Sequence, residues 1–196
     1  KDADRVPLDG AVIRVENLEK SYRRGKVAAV RGISFEVHGG QVFGLVGPDG
    51  AGKTSVLQML AGVLSCDGGR AEVGSIDALA RPEAVKEIIG YMPQGIGLNL
   101  YDTLTAAENI EFFRDLRQVP EGRFRENRDR LLEMTRLAPF LDRPAGKFAG
   151  GMRQKLALIC TLIHLPQILL LDEPTTGVDP LSRRDFWNII HDLVTR

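Results

Sequence analysis

Eight residues, Gly47-Pro48-Asp49-Gly50-Ala51-Gly52-Lys53-Thr54, follow the pattern G-x-x-x-x-G-K-[ST]. The spacing has a chemical reading. Glycines let backbone N–H groups turn inward onto phosphate oxygens, and a helix that starts where the loop ends adds unpaired donors and the positive end of its dipole. Lys53 then reaches the β- and γ-phosphates, and the Thr54 hydroxyl ligates Mg²⁺. Far along the chain, the apolar run Ile168-Leu169-Leu170-Leu171 ends in Asp172-Glu173. A carboxylate at the end of a central strand can hold Mg²⁺ directly or through water, and the next can polarise an attacking water. Alone, such a pair reads more readily as a strand-ending turn or cap. In one chain with the glycine loop, the chemical reading gains.

The elements around these residues suit them. Residues 42–46, Val-Phe-Gly-Leu-Val, read as a short buried strand before the loop, and Val56, Leu57, Met59, Leu60, Val63 and Leu64 recur after it at helical spacing. Strand, glycine loop and helix form the context the motif requires. Upstream, residues 11–15 and 27–37 carry strand patterns around the basic turn of residues 20–25, which contains Tyr22. Tyr22 is open to two readings, an aromatic closing a strand edge or a platform on which an adenine ring stacks. Downstream, Arg70 to Val73 and Ile89 to Met92 read as strands and Pro82 to Ile88 as a helix with proline in its first turn. Thr105 and Glu108 have the spacing of a capping box, with Ile110, Phe113 and Leu116 on one face. Pro120 ends that helix, and residues 121–137 read as another with a solvated charged face. The stretch of residues 147–155 opens an apolar helix through Ile163, the run 168–171 suits a strand buried on both faces, and a last helix starts near Leu181 with Phe186, Ile189, Ile190 and Leu193 inward.

Bulk properties narrow the function classes. At 196 residues the chain can bury a sizeable core. Basic and acidic residues balance at 26 each, so no overall basic field invites nucleic acid. Cys66 and Cys160 make no disulfide framework and no C-x-x-C, which fits a reducing cytosol. Residues 1–10 hold no apolar signal region. The most apolar stretch, residues 156–171, is interrupted by His164 and Pro166, so any membrane role runs through a partner.

With these residues in place, nearly the whole chain resembles the nucleotide-binding domain of an ABC transporter. The matching pieces stand in the family's order: Tyr22 at the adenine-stacking turn, Gly47 to Thr54 as Walker A and Gln94 as the Q-loop glutamine. Phe148-Ala149-Gly150-Gly151-Met152 follows at the signature, Ile168 to Asp172 as Walker B with Glu173 as catalytic glutamate, and Val178-Asp179 at the D-loop. The wording is most similar to the drug-efflux and polysaccharide-export branch. The resemblance implies an α/β fold, a P-loop NTPase (RecA-like) core with a mostly parallel sheet, N-terminal antiparallel β elements and an inserted helical subdomain. It implies one ATPase domain, with its core at about residues 1–94 and 165–196 and a helical lobe at about 95–164. The cofactors implied are ATP and Mg²⁺, the latter held by Thr54, Gln94 and Asp172. Glu173, Gln94 and Lys53 would act in hydrolysis. Gly47, Pro48, Asp49, Gly50, Ala51, Gly52, Lys53 and Thr54 would contact nucleotide with Tyr22, and so would Ala149, Gly150, Gly151 and Asp179. The implied partners are a second nucleotide-binding domain and a transmembrane permease, which would hold the chain at the cytoplasmic face of the membrane.

The chain departs from the family pattern at three points. Ala149 stands where Ser is usual, removing a hydroxyl donor. Asp49 replaces Asn and would point away from phosphates or bond across a dimer. The switch histidine is expected about thirty residues beyond Glu173, after one more strand, whereas the sequence ends at Arg196. Turnover by these residues alone is therefore expected to be slow. His164 and His191 read as ordinary helix histidines. Two rivals stay open: a soluble, non-transport ABC protein acting on ribosomes or DNA, and a binding-only domain paired with a competent one.

Overall fold

The computed structural model describes residues 10–22 and 27–195. The chain forms strands β1 (Ala11–Tyr22) and β2 (Val27–His38), helix α1 (Lys53–Leu60), and strands β3 (Gly68–Val73) and β4 (Ile76–Asp77). Helix α2 (Pro82–Ile88), strand β5 (Ile89–Met92) and helices α3 (Ala106–Leu116), α4 (Glu121–Thr135) and α5 (Gly150–Leu162) follow. Strand β6 (Ile168–Leu171) and helix α6 (Pro180–Thr195) complete the order. Two compact units result. One comprises the described residues up to Gly90 together with Pro166–Asp172; the other comprises Tyr91–Leu165 and the described residues from Glu173. Of the basic turn expected at residues 20–25, residues 20–22 instead continue β1, pairing with β2 as far as Tyr22 opposite Val27, and residues 23–25 lie outside the described residues.

In the first unit, β1 is an inner strand of a four-stranded antiparallel sheet ordered β2-β1-β3-β4. It meets β2 through Val15 opposite Phe35 and β3 through Ile13 opposite Val73. Val12, Ile13, Val15, Leu18, Ala71 and Val73 are buried from the sheet, and Val56, Met59 and Leu60 from α1, which touches β2 and β3. Helix α1 stops at Leu60 because Gly62 takes φ +67°, so Val63, expected on its apolar face, is exposed. β6 pairs with β5 in a two-stranded parallel sheet.

Residues 42–46 do not form the expected strand. Val46 is 94% exposed, and Phe43 stacks on Phe35 with ring centroids 5.2 Å apart. A strand buried on both faces needs neighbours to receive its N–H and C=O groups. Here β1 to β4 hold one another and β5 holds β6, so no described strand takes up this segment. The burial expected on both faces of β6 is also one-sided: Ile168 and Leu170 are buried, Leu169 and Leu171 half-buried.

The second unit is helical and centred on α5, which packs on α3, α4 and α6. From Leu156 to Leu162 every residue of α5 is buried, the mark of a helix surrounded by protein. Cys160 lies there, its thiol pushed above its ordinary pKa by burial. Helix α3 carries the expected capping box: Thr105 Oγ1 accepts from Glu108 N at 3.2 Å, and Glu108 Oε2 accepts from Thr105 N at 2.7 Å. The buried Asn109 side chain ties down the preceding turn, accepting from Tyr101 N at 2.8 Å and donating to the carbonyls of Tyr101, Leu104 and Thr105. Leu116 is exposed rather than inward, because the chain turns off the helix at Arg117 and Gln118, the latter at φ +51°. Among the described residues no helix is long and apolar enough to cross a membrane.

Removing the cap tests how much local order carries this unit. Thr105→Ala is expected to cost about 1 kcal/mol of stability, read as a lowered urea midpoint with an unchanged slope. A midpoint equal to the parent's would mean that Asn109 holds the turn by itself.

Candidate nucleotide site

The glycine loop in the first unit has a fixed shape. Gly52 adopts φ +86° as the N-cap of α1, and a β-carbon there would lie 2.3 Å from the Ala29 carbonyl oxygen. Only glycine allows both the left-handed turn and this approach to β2. Ala51 N donates to the Pro48 carbonyl at 3.1 Å, closing the loop, and Gly50 takes φ +79°. Lys53 Nζ folds back to donate to the carbonyls of Gly47 at 2.7 Å and Pro48 at 3.0 Å. The ammonium therefore sits in the loop itself. Lys53, Gly50 and Ala51 line a cleft of about 400 Å³ with Val30 and Leu45. Asp49 is exposed.

Thr54 Oγ1 donates to Asp172 Oδ1 at 3.2 Å. The hydroxyl comes from the first turn of α1 and the carboxylate from just past β6, and Asp172 is 1% exposed. A hydroxyl beside a carboxylate is a hard-oxygen donor pair, the set that Mg²⁺ prefers. The loop cation, the helix N-terminus and this donor pair fit a magnesium-bound polyphosphate. Among the described residues no cluster of three His, Cys, Asp or Glu side chains could hold a metal. A metal held beside Thr54 and Asp172 would draw its other oxygens from elsewhere, as phosphate would supply.

Tyr22, 38% exposed, ends β1 with its hydroxyl 2.9 Å from Ser55 Oγ on α1. Its ring is held at the start of the helix that follows the loop. Lys20 Nζ lies 5.9 Å from the ring centroid and donates to Asp67 Oδ1 at 3.0 Å, and Ser21 N donates to Asp67 Oδ2 at 2.6 Å. These bonds, the Ser21 N–H foremost, hold the Asp67 carboxyl below the usual carboxylate range.

In the second unit, Gln94 Nε2 donates to Glu173 Oε2 at 3.0 Å, and Thr176 Oγ1 donates to the same oxygen at 3.2 Å. Glu173 takes φ +45°, a left-handed conformation uncommon outside glycine. At the start of α5, Ala149 is the N-cap with φ −64° and ψ 157° and makes no side-chain cap bond, as its methyl requires. Phe148 before it is buried under the Arg143 guanidinium, 5.8 Å from the ring centroid. Gly150 packs toward Ile96, and a β-carbon on Gly151 would lie 2.3 Å from Ser182 Oγ. Asp179 Oδ1 accepts from Ser182 N at 2.9 Å, which lowers the Asp179 carboxyl below its ordinary range. His191 lies on α6, while His164 stands in the turn after α5 rather than within a helix.

Three residues that shape these groups carry no motif. Ser55 anchors Tyr22 and Asp67 anchors the end of β1. Gln154, 1% exposed on α5, bonds to Gly97 and Pro174. Gln154 stands in sequence between Arg153 and Lys155, where nothing marks it as buried.

A nucleotide-loop α/β unit and a helical unit with a glycine-led helix define a class of ATP-binding domain. Residues 30–176 match the family described as ABC transporter, and the chain belongs to that family. It is similar to the probable multidrug ABC transporter ATP-binding protein YbhF of Escherichia coli (strain K12), at 47% identity over 186 residues, 95% of this chain and 32% of that protein. It is also similar to the daunorubicin resistance ATP-binding protein DrrA2 of Streptomyces coeruleorubidus, at 40% identity over 187 residues, 95% of this chain and 57% of that protein. The chain thus spans between a third and somewhat over half of these relatives' lengths. Among solved structures, cbiO1 from Clostridium perfringens, part of the ABC transporter complex cbiONQ, shares the fold with a TM-score of 0.84 at 24% identity, over 95% of this chain and 75% of that one. A nucleotide-free ATP-binding cassette from an ABC transporter gives 0.77 at 25% identity, over 95% and 78%. The expected P-loop NTPase fold with its antiparallel N-terminal sheet is therefore the fold of this chain.

The loop's geometry separates two glycines. Gly50 and Gly52 are both left-handed, but nothing lies within 4 Å of a β-carbon on Gly50. Gly50→Ala is expected to cost about 1–2 kcal/mol of backbone strain. Gly52→Ala is expected to cost more, because the loop must also leave the Ala29 carbonyl. Denaturant titrations of both variants check the order, and equal losses would show that the close approach to β2 carries no energy.

Proposed function

We propose that this chain is the ATP-binding domain of an exporter, taking up MgATP and hydrolysing it, within the complete protein, to drive a transmembrane partner. The observation that carries the reading is the Thr54–Asp172 bond of 3.2 Å, which joins a phosphate-loop hydroxyl to a strand-end carboxylate across 118 positions of sequence. It rests also on drug-resistance transporters being among the chain's relatives. The proposed domain has its core at about residues 1–94 and 165–196 and its helical lobe at about 95–164.

In this reading the N–H groups of Gly50, Gly52, Lys53 and Thr54 and the start of α1 bind the polyphosphate, with Gly47, Pro48, Asp49 and Ala51 shaping the loop. Lys53 exchanges its two loop carbonyls for phosphate oxygens, and Tyr22 offers its ring face to the base. Thr54, Asp172 and Gln94 would hold Mg²⁺, which when bound offsets phosphate charge and lowers the barrier to transfer. Glu173 accepts a proton from the attacking water, its carboxylate oriented by Gln94 and Thr176. Gly150 and Gly151, with Ala149 and Asp179, would face the nucleotide of a second such domain, donating backbone N–H groups where the Ala149 methyl cannot. Leu98, Tyr101 and the start of α3 would meet cytoplasmic segments of the permease, at the inner face of the membrane. The balance of 26 basic and 26 acidic residues disfavours a nucleic-acid-directed role. A binding-only domain is the second reading, favoured by the uncapped Ala149.

Two variants test the proposal. Lys53→Ala removes the loop cation, and losing a charge-assisted bond of about 1.5–3 kcal/mol should lower ATP affinity by at least tenfold in calorimetry. Unaltered affinity would remove the loop from the site. In the full-length protein, Glu173→Gln keeps the shape but not the base, so ATP should be retained unhydrolysed and the dimer should accumulate in gel filtration. Turnover at the parent's rate would reject Glu173 as the base, and a full-length protein in which Lys53→Ala lowers ATP affinity while neither variant changes turnover would favour the binding-only reading.

A further inference from the structure

We propose that Gln154 is a positioning residue that holds the Gln94–Glu173 pair in register with the start of α5. The proposal rests on the reading of Glu173 as base and Gln94 as its partner. Gln154 is 1% exposed and sits five residues past the N-cap Ala149. Its amide is engaged at both ends by two different segments. Gly97 N donates to Oε1 at 3.0 Å, and Nε2 donates to the Pro174 carbonyl. Exchanging the oxygen and nitrogen would oppose donor to donor and acceptor to acceptor, so the two partners define one orientation of the amide.

The two segments are those that carry the proposed chemistry. Gly97 lies three residues after Gln94, and Pro174 directly follows Glu173. Neither is held by regular structure: Gly95 takes φ +116°, Gly97 +63° and Glu173 +45°. With no strand ladder or helix turn to fix them, their relative placement depends on side chains. The Gln94–Glu173 bond of 3.0 Å joins them at the exposed end, and Gln154 joins them at the buried end. Arg153 closes the remaining side. Its guanidinium donates to the Ala145 carbonyl at 2.9 Å and pairs with Asp102 at 2.7 Å, and its Nε lies 3.1 Å from where a β-carbon on Gly97 would stand. A shift of the α5 N-terminus therefore carries the carboxylate and the glutamine together. The glycine-led segment Ala149–Gly151 is mechanically joined to the pair through one buried amide.

The test is ATP turnover by the full-length protein. Gln154→Met keeps the volume and removes both bonds. It should lower kcat roughly ten- to hundredfold, the cost of a slightly misplaced catalytic group, while KM for ATP stays within about twofold. A folded variant with the parent's kcat, or one whose kcat falls while its KM rises well beyond twofold as in general loosening, overturns the proposal. Gln154→Glu supplies a second signature. The introduced carboxyl can donate to the Pro174 carbonyl only when protonated, and burial raises its pKa. The ratio of the variant's kcat to the parent's should therefore rise as pH falls from about 8 to about 6. A flat ratio overturns the proposal, and so does failure of both variants to fold, which would make Gln154 a core residue only. Run alongside, Glu173→Gln separates the layers. If it blocks turnover while Gln154→Met does not, only the positioning role falls; if it does not block turnover, the reading of Glu173 falls with it.

Discussion

A carbonyl oxygen of β2 stands where the β-carbon of any residue but glycine at position 52 would have to go. That approach and the left-handed turn at Gly52 both demand glycine, and the turn stands as the N-cap where α1 begins. Once the helix starts at Lys53, its first unpaired N–H groups open onto the loop, Thr54 reaches Asp172 and Ser55 reaches Tyr22. The antiparallel sheet is thus more than a cover for α1. Its second strand sets the loop's depth, and its first strand delivers the tyrosine. The bonds of Asp67 to Lys20 and Ser21 pin the end of β1, so the ring is held from the sheet side as well as from the helix.

The second unit solves a different problem. The residues proposed to act from it lie in connections rather than at the ends of a sheet, and backbone polar groups in such segments must find partners elsewhere. Buried amide side chains supply them. Asn109 satisfies three carbonyls and one N–H before α3, Asn127 donates to the Ile163 carbonyl at the end of α5, and Gln154 spans the loop after Gln94 and the segment after Glu173. An unpaired buried amide costs about 1–3 kcal/mol, so each of these side chains disfavours any arrangement in which its partners drift apart. The apolar surface of α5 gives adhesion without direction; the amides give direction.

What the sequence disclosed tracks the range of the interactions involved. The capping box at Thr105 and the proline-led start of α2 were legible because cap and partner lie within one turn of chain. The loop at residues 47–54 was legible because its glycines have a local conformational reason. Residues 42–46 misled because an apolar run states that a segment avoids water, not which strands will accept its hydrogen bonds. Leu116 misled for a related reason: helical spacing continued one step past the point where Gln118 turns the chain. Ser55, Asp67 and Gln154 were invisible because their partners lie far away in sequence, and a serine, an aspartate or a glutamine without its partner looks like solvated surface. The candidate site was therefore readable as a set of motifs, while the bonds that aim those motifs were not.

Glu173 stands at φ +45°, where a carboxylate-bearing residue is strained and glycine is at ease. Strain of this kind is on the order of 1 kcal/mol or more and persists only where the surroundings impose it. The fold and the proposed chemistry thus make opposite demands on one position: relaxation of the backbone favours no side chain at all, whereas water activation requires one. A chain selected only for thermal endurance would drift toward glycine here and lose its base. On the proposed reading of Glu173 as base, position 173 would be a site where stability is yielded to activity.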